Sequence, residues 1–205
     1  MTLDEQRFYA RCRTELYGGR LKQAQVSGLS AILDSFQKRQ PDGDLRLLAY
    51  ILATAHHETA RTLLPVRETL AATDALAIRR LDTAFAAGRL PQVKQPYWRC
   101  DAEGKSWLGR GFVQLTHRRN YQRLGELLGV DLVSDPDRAM QLDVAADVLV
   151  AGMLAGAFTG RRLGEFFDAD HADWTSARRV VNGTDRAALI GGYGRVFFAA
   201  LQPAA

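Results

Sequence analysis

The sequence predicts a mainly helical fold with one small β element, built as a single domain over residues 1–205. Three observations support this. Apolar residues recur at helical spacing along most of the chain. Capping residues and glycines mark where the helices start and stop. One short stretch, residues 112–115, alternates as a strand does. At 205 residues the chain is long enough for one sizeable core.

Two helices are predicted before residue 41. The first covers residues 4–17 and ends where Gly18 and Gly19 provide a turn. Ser27 caps or enters the second, and a turn over residues 41–44 follows it. The apolar face of this second helix is formed by Leu29, Ile32, Leu33 and Phe36.

The next two helices lie on either side of Pro65, which prevents one continuous helix. Asp44 is the predicted N-cap of the third helix, which runs through Glu58. Thr73 or Asp74 begins the fourth. The apolar positions are Leu48, Ile51, Leu52 and Ala55 in the third helix, and Ile78, Leu81 and Phe85 in the fourth, which Gly88 closes.

The C-terminal half follows the same pattern after an irregular loop over residues 89–108. Residues 120–128 form a helix that Gly129 stops, and Asp135–Pro136 starts another. Residues 142–158 are apolar almost all round, which predicts the central buried helix. Thr184 or Asp185 caps the last helix, whose inward side chains are Tyr193, Val196, Phe197 and Ala200.

Two glutamates stand out in this frame. Glu58 lies on the flank of the apolar stripe of the third helix, so we expect it to be partly desolvated. Glu68 follows ten positions later, beyond Pro65, in a more polar setting. A glycosidase uses one desolvated and one solvated carboxyl group as its acid and its base. Spacing alone equally allows two ordinary surface charges.

Three sequence blocks resemble glycoside hydrolase family 19, which includes plant chitinases and bacteriophage cell-wall lysins. They are His-Glu-Thr at 57–59, Gly-Arg-Gly-Phe-Val-Gln-Leu-Thr-His-Arg-Arg-Asn-Tyr at 109–121, and Val-Val-Asn-Gly at 180–183. The resemblance covers about residues 20 to 200. Within the family, the chain is most similar in type to the phage and prophage endolysins. The resemblance implies a lysozyme-like, two-lobed helical fold and one catalytic domain over residues 1–205.

The resemblance also implies an inverting mechanism. Glu58 matches the acid in the His-Glu-Thr block, and Glu68 matches the base by position, with Asp101 and Glu103 as rivals. Thr116 matches the hydroxyl that holds the attacking water between itself and the base. An inverting pair is expected to place its carboxyls about 6.5–9.5 Å apart or somewhat more.

Further positions match residues that contact substrate in the family. The matched positions are His57, Gln114, Asn120, Asn182 and Arg186. His57 is expected to orient its neighbours, and Arg186 is displaced from the position of the plant arginine. Tyr97, Trp98 and Trp107 are aromatic residues in the 89–108 loop, which either stack on sugar rings or belong to the core.

Composition narrows the classes of function. The net charge of +4 suits an anionic target, but the basic residues occur as isolated pairs, which argues against nucleic acid. Cys12 and Cys100 suggest neither a disulfide framework nor a zinc site, and Arg61 stands where a zinc protease has its second histidine. We therefore expect no metal and no cofactor. We also expect no membrane-spanning segment, because no apolar run reaches about 18 residues.

Three functions remain open. The first is an endolysin that hydrolyses β-1,4 bonds of peptidoglycan glycan strands. The second is a chitinase of the same mechanism, and the third is a non-catalytic wall-binding domain. Because the N-terminus has no apolar signal core, we expect synthesis in a bacterial cytoplasm and action in the periplasm or wall. We also expect a monomer. The resemblance suggests a partner holin for its export.

Overall fold

The computed structural model describes residues 3–203, and over this range the chain is mainly helical, as predicted. The helices are α1 (Glu5–Glu15), α2 (Gln23–Arg39), α3 (Leu45–Glu58), α4 (Asp74–Ala86), α5 (Arg118–Leu128), α6 (Leu142–Ala155) and α7 (Ala187–Leu201). Short 3₁₀ turns cover Glu68–Leu70, Pro136–Met140, Leu163–Glu165 and Ser176–Val180. Among residues 3–203 no helix is long and apolar enough to span a membrane.

Helix α3 lies at the centre of the molecule. Asp44 caps it as predicted, because its carboxylate accepts a hydrogen bond from the Arg46 amide at 2.8 Å. Residues 48–56 are all buried, so the helix is enclosed on every side and is not half-exposed. It packs most extensively on α7, while α2 packs on α6. The C-terminal end of α3, with Glu58, is thereby held within the packed body of the protein.

Buried hydrophobic residues form two clusters, which agrees with the two-lobed architecture. The larger cluster contains the inner faces of α1, α2, α3, α5, α6 and α7. The smaller one joins α4 to the irregular loop and contains Ala71, Ala77, Leu81, Trp98 and Leu108. Tyr97 packs against the smaller cluster.

The predicted strand over residues 112–115 is wrong. Residues 111–114 form a tight turn, and an isolated antiparallel bridge between Arg110 and Leu115 flanks it. Gly111 and Gln114 have φ values of 90° and 55°, which reverse the chain where a strand would extend it. The apolar side chains are nevertheless buried, so the alternation of four residues reflected burial and not extension.

Several helix boundaries also differ from the prediction. Ser27 lies inside α2, which starts at Gln23. The helix predicted at Asp135–Pro136 is a 3₁₀ turn of five residues. The buried helix predicted for 142–158 ends at Ala155, because Gly156 adopts the left-handed conformation. Helix α7 begins at Ala187, beyond the predicted caps, and Arg186 precedes it with φ 56°.

Candidate active site

Glu58 is the last residue of α3 and forms an ion pair that the sequence did not reveal. Its Oε1 atom lies 2.6 Å from Nη1 of Arg178, in the 3₁₀ turn Ser176–Val180. The side chain of Glu58 is 18% exposed and that of Arg178 is 3% exposed. The partial desolvation expected for Glu58 is therefore present, together with a buried guanidinium that balances its charge.

His57 belongs to the same group of charged residues. Burial lowers the pKa of His57, as do the nearby Arg178 and Arg186, while Glu58 and Asp185 act in the opposite direction. The end of α3 and the start of α7 thus bring His57, Glu58 and Arg186 together. Arg186 is exposed and makes no hydrogen bond or ion pair through its side chain within residues 3–203.

Glu68 is fixed by a different set of contacts. Its Oε1 accepts a hydrogen bond from the Tyr97 hydroxyl at 2.6 Å, and its Oε2 accepts one from the Gly109 amide at 2.8 Å. The Glu68 amide in turn donates to the Gly109 carbonyl at 2.7 Å. Two donors on the two oxygens fit an ionised carboxylate, and each oxygen keeps a lone pair that can accept from water.

The ring of His117 lies over Tyr97, with 4.4 Å between the ring centroids. Burial lowers the pKa of His117 and the neighbouring Arg119 lowers it further, whereas Glu68 raises it. Tyr97, predicted to bind substrate, therefore belongs to the Glu68 group. Its hydroxyl is committed to the carboxylate, and burial followed by that bond raises the pKa of Tyr97.

Thr116 precedes His117 and is partly exposed. Its carbonyl accepts a hydrogen bond from Asn120 Nδ2 at 2.8 Å, but its hydroxyl has no hydrogen-bond partner in the described part of the chain. A hydroxyl without a protein partner is able to hold a water molecule. The predicted role of Thr116 stays a prediction, and this geometry is compatible with it.

The three amides predicted to bind sugar all make hydrogen bonds within the protein. Gln114 Nε2 donates to the Val66 carbonyl at 3.0 Å, and Asn120 spans one helical turn to Thr116. Asn182 is exposed and accepts from the Gly183 amide at 2.8 Å. A sugar ligand would therefore meet these side chains already oriented by the protein.

Trp98 is a correction to the predicted substrate contacts. It is fully buried in the smaller hydrophobic cluster, and its indole N–H donates to Asp82 at 3.0 Å. Trp107 is also buried, at 6% exposure, and donates to Asp101. Neither indole presents a face on which a sugar ring could stack, so both belong to the core.

The rival carboxylates are engaged elsewhere. Asp101 accepts from the amides of Glu103 and Lys105 as well as from Trp107, which closes an exposed loop. Glu103 pairs with Lys105 at 3.1 Å. These contacts favour Glu68 over Asp101 and Glu103 as the second carboxylate. The expected spacing between Glu58 and Glu68 stays a prediction.

Unusual backbone conformations concentrate around these groups. Eight residues other than glycine have positive φ within residues 3–203: Ala60, Arg61, Leu63, Thr69, Leu70, Gln114, His117 and Arg186. All eight lie in the segments that follow Glu58 and Glu68, in the 109–121 block, or at the start of α7. Such conformations cost about 1–3 kcal/mol each and cluster at functional sites.

The described residues contain no cluster of side chains that could bind a metal ion. Among residues 3–203 no group of three or more histidine, cysteine, aspartate or glutamate side chains is placed to hold an ion. The polar groups described above are two carboxylates, the Thr116 hydroxyl and the side chains around them.

Comparison with known proteins assigns the chain to a family. Rice chitinase 11 is 49% identical over 45 residues, and grapevine basic endochitinase is 37% identical over 59 residues. These segments cover 22% and 29% of this chain but only 16% and 17% of the plant proteins. The chain therefore matches less than a fifth of the length of these relatives.

Solved structures resemble the whole fold. Chitinase C from Streptomyces griseus superposes with a TM-score of 0.61 at 18% identity, covering 97% of this chain and 76% of that one. The class IV chitinase from Zea mays gives 0.55 at 16% identity, covering 97% and 92%. The sequence profile of the family described as class I chitinase matches residues 44–158, more than half of the 205 residues. The chain thus belongs to glycoside hydrolase family 19, the class I chitinase family.

Proposed function

We propose that this protein is a glycosidase that hydrolyses β-1,4 bonds of bacterial peptidoglycan with inversion at the anomeric carbon. The observation that carries the proposal is the pair of carboxylates in contrasting settings. Glu58 is largely buried against Arg178, whereas Glu68 accepts hydrogen bonds from Tyr97 and Gly109. In this proposal Glu58 protonates the leaving oxygen and Glu68 activates the water.

The attacking water would sit between Glu68 and Thr116. Glu68 has unused lone pairs, and the Thr116 hydroxyl has no partner within residues 3–203. The water donates one proton to the carboxylate while the hydroxyl fixes its orientation. For Glu58 to act as the acid it must carry a proton, so we expect substrate to change the contact between Glu58 and Arg178.

Two exposed arginines favour peptidoglycan as the substrate. Arg119 is close to His117 on the Glu68 side, and Arg186 is close to His57 on the Glu58 side. Neither side chain has a hydrogen bond or ion pair in the described part of the chain. Peptidoglycan carries free carboxylates on its peptide stems, whereas chitin is neutral. Unpaired guanidiniums beside the site therefore suit the anionic polymer.

Chitin is the second candidate substrate. Its support is the names of the similar proteins, since the matched plant relatives and solved structures are chitinases. The mechanism would be the same for both polymers, so the two candidates differ only in which polymer the site accepts. A non-catalytic wall-binding domain is the third possibility, and it requires neither Glu58 nor Glu68.

If peptidoglycan is the substrate, the protein must act where that polymer lies. A peptidoglycan glycosidase made in a bacterial cytoplasm reaches its polymer only after release into the periplasm or wall. A holin-type partner would provide that release. We propose that the protein acts there as a monomer.

The test is a side-by-side digestion of purified peptidoglycan and chitin oligomers, with products identified by mass. We expect disaccharide-peptide fragments from peptidoglycan and a higher kcat/KM than for chitin. Glu58→Gln should lower kcat by about 10²–10⁴-fold or more, because glutamine keeps the shape but cannot donate the proton. Glu68→Gln should be similarly damaging, with Glu103→Gln as the control that stays active.

A charge control separates the two substrates. Arg119→Gln should reduce kcat/KM on peptidoglycan and leave kcat/KM on chitin unchanged. Arg13→Gln serves as the matched control, because it removes from α1 one exposed charge that has no partner among residues 3–203. Cleavage of chitin with intact peptidoglycan would establish the chitinase alternative. Binding to walls without cleavage of either polymer would establish the non-catalytic one.

A further inference from the structure

A closed ring of four charged side chains lies next to the Glu68 segment. Its members are Arg67, Asp74, Arg110 and Asp137, and each arginine contacts both aspartates. Arg67 is 2.7 Å from Asp74 and 3.1 Å from Asp137. Arg110 is 2.9 Å from Asp137 and also hydrogen-bonds to Asp74. With two positive and two negative charges, the ring is neutral.

The ring joins parts of the chain that are distant in sequence. Asp74 is the first residue of α4, and Asp137 belongs to the 3₁₀ turn Pro136–Met140. Arg110 is 1% exposed and also donates to the Ser106 carbonyl and the Tyr121 hydroxyl, both at 3.0 Å. A buried guanidinium with this many partners is a rigid anchor, because its planar fork fixes the direction of each bond.

Two residues of the ring are sequence neighbours of the two residues that hydrogen-bond to each other, Glu68 and Gly109. Arg67 immediately precedes Glu68, and Arg110 immediately follows Gly109. Glu68 and Gly109 exchange two hydrogen bonds, one to the Gly109 carbonyl and one to the Glu68 carboxylate. The position of the Glu68 carboxylate is therefore set by two segments that the ring ties together.

The segment needs such a restraint. Thr69 and Leu70 follow Glu68 directly and have φ values of 60° and 54°. Both are exposed, so packing does not hold them in this left-handed conformation. Strained backbone persists only where its surroundings over-determine it. Arg80 donates to the Thr69 carbonyl at 2.9 Å after the carboxylate, and the ion pairs of Arg67 restrain the chain one residue before it.

We propose that Arg67 is a positioning residue for Glu68, which it holds in place through its two ion pairs with Asp74 and Asp137. This inference rests on the proposed function, in which Glu68 is the base. Arg67 touches neither substrate nor water in this account. Its loss should leave substrate binding intact and misplace the carboxylate relative to the attacking water. A displacement of about 1 Å can cost about 10²-fold in rate.

The test compares Arg67→Gln with the double variant Arg67→Gln/Asp137→Asn. The single variant leaves the ring with one excess negative charge, whereas the double variant restores neutrality. We expect Arg67→Gln to lower kcat by about 10²-fold with KM within about threefold, and to lower the melting temperature. In the double variant the melting temperature should recover towards that of the parent, but kcat should stay low. This separation of rate from stability is what a purely structural role would not give.

Arg99→Gln is the matched control, because Arg99 forms an exposed ion pair with Asp82 beside the same small hydrophobic cluster. Its kcat should stay within about twofold. The proposal is overturned if Arg67→Gln keeps the parental kcat, or if kcat recovers with the melting temperature in the double variant. Glu68→Gln, measured in the same assay, distinguishes failure of the positioning role from failure of the proposed function. If it is inactive while Arg67→Gln is active, only the positioning role fails; if it stays active, the proposed function fails as well.

Discussion

The hydroxyl of Thr116 is the smallest feature on which the proposed mechanism depends. It is partly exposed and has no hydrogen-bond partner among residues 3–203, while the Thr116 carbonyl is bound by Asn120. The side chain thus has a free polar group on a backbone that the protein already fixes. In the proposed mechanism that group orients the attacking water.

Thr116→Val tests this role. Valine keeps the volume and the β-branch but removes the hydroxyl, so the water loses one partner. We expect kcat to fall by about tenfold or more while KM changes little, because the lost contact is made in the transition state. Steady-state kinetics on the cleaved polymer measure it. A kcat equal to that of the parent would show that Thr116 only shapes the chain.

His56 is a buried group with a consequence for stability. Its Nδ1 lies 2.9 Å from the Tyr17 hydroxyl, and Tyr193 and Phe197 pack against its ring. Burial lowers the pKa of His56 to about 4, and the nearby Arg61 and His57 add to the shift. The folded protein therefore keeps this imidazole neutral at pH values where the unfolded chain binds a proton.

The sign of the pH effect follows from this difference. The unfolded pKa of histidine is about 6.5, so between about pH 6.5 and pH 4 the unfolded state binds more protons and stability falls as pH falls. Between pH 7 and pH 5 the loss due to His56 should be about 2 kcal/mol. Urea unfolding of His56→Phe should show a drop smaller by that amount. A drop equal to that of the parent in His56→Phe would contradict this account.

Helix α7 carries the packing that supports the Glu58 side of the site. Gly191 faces Trp174, and a Cβ atom there would lie 2.8 Å from the Trp174 carbonyl oxygen. Gly192, one residue later, is exposed, and its Cβ would meet nothing within 4 Å. Helix α7 therefore lies close to Trp174 because residue 191 has no side chain. The absence of a side chain at residue 192 has no such effect.

Alanine substitutions at these two glycines should have opposite effects. Gly192→Ala should raise the free energy of unfolding by about 0.5–1 kcal/mol, because alanine favours a helix over glycine. Gly191→Ala should lower it by about 1–3 kcal/mol, since the new methyl group forces α7 away from Trp174. Denaturant unfolding of both variants measures the difference. Equal stabilisation by both would mean that α7 packs less closely here than the structure shows.

Local signals predicted the helices well. Asp44 and Thr73 cap α3 and α4 through their side chains, and Gly129 ends α5 in the left-handed conformation. These are interactions within a few residues, so the sequence contains them directly. The prediction of a strand over residues 112–115 was wrong because positive φ at Gln114, a non-glycine residue, depends on its tertiary contact with Val66.

The contacts of the site could not be predicted from local pattern. Glu58 and Glu68 are candidates that the sequence indicates, but the ion pair of Glu58 with Arg178 joins residues that no spacing rule connects. Composition alone did not separate Tyr97, which binds Glu68, from its neighbour Trp98, which belongs to the core. The adjacent pair Arg178–Arg179 was visible in the sequence, and nothing local indicated that its first member points inward.

At the scale of the whole molecule, each of the two lobes contributes one carboxylate to the proposed site. Glu58 ends a helix of the larger hydrophobic cluster, and Glu68 is bound by Tyr97, which packs on the smaller one. The charge ring of Arg67, Asp74, Arg110 and Asp137 ties the second carboxylate to both parts. Inversion requires that a water fit between the two carboxyls, so the stereochemical outcome reports on this arrangement directly.

Proton NMR of freshly formed product is the most direct test of the central claim. The parent protein is given soluble β-1,4-linked fragments of the polymer that it cleaves, and the new reducing end is observed before its anomers equilibrate. The account predicts that the α-anomer appears first, as water attacks opposite the leaving group. A product that appears first as the β-anomer would contradict the assignment of Glu58 and Glu68 as an inverting acid and base.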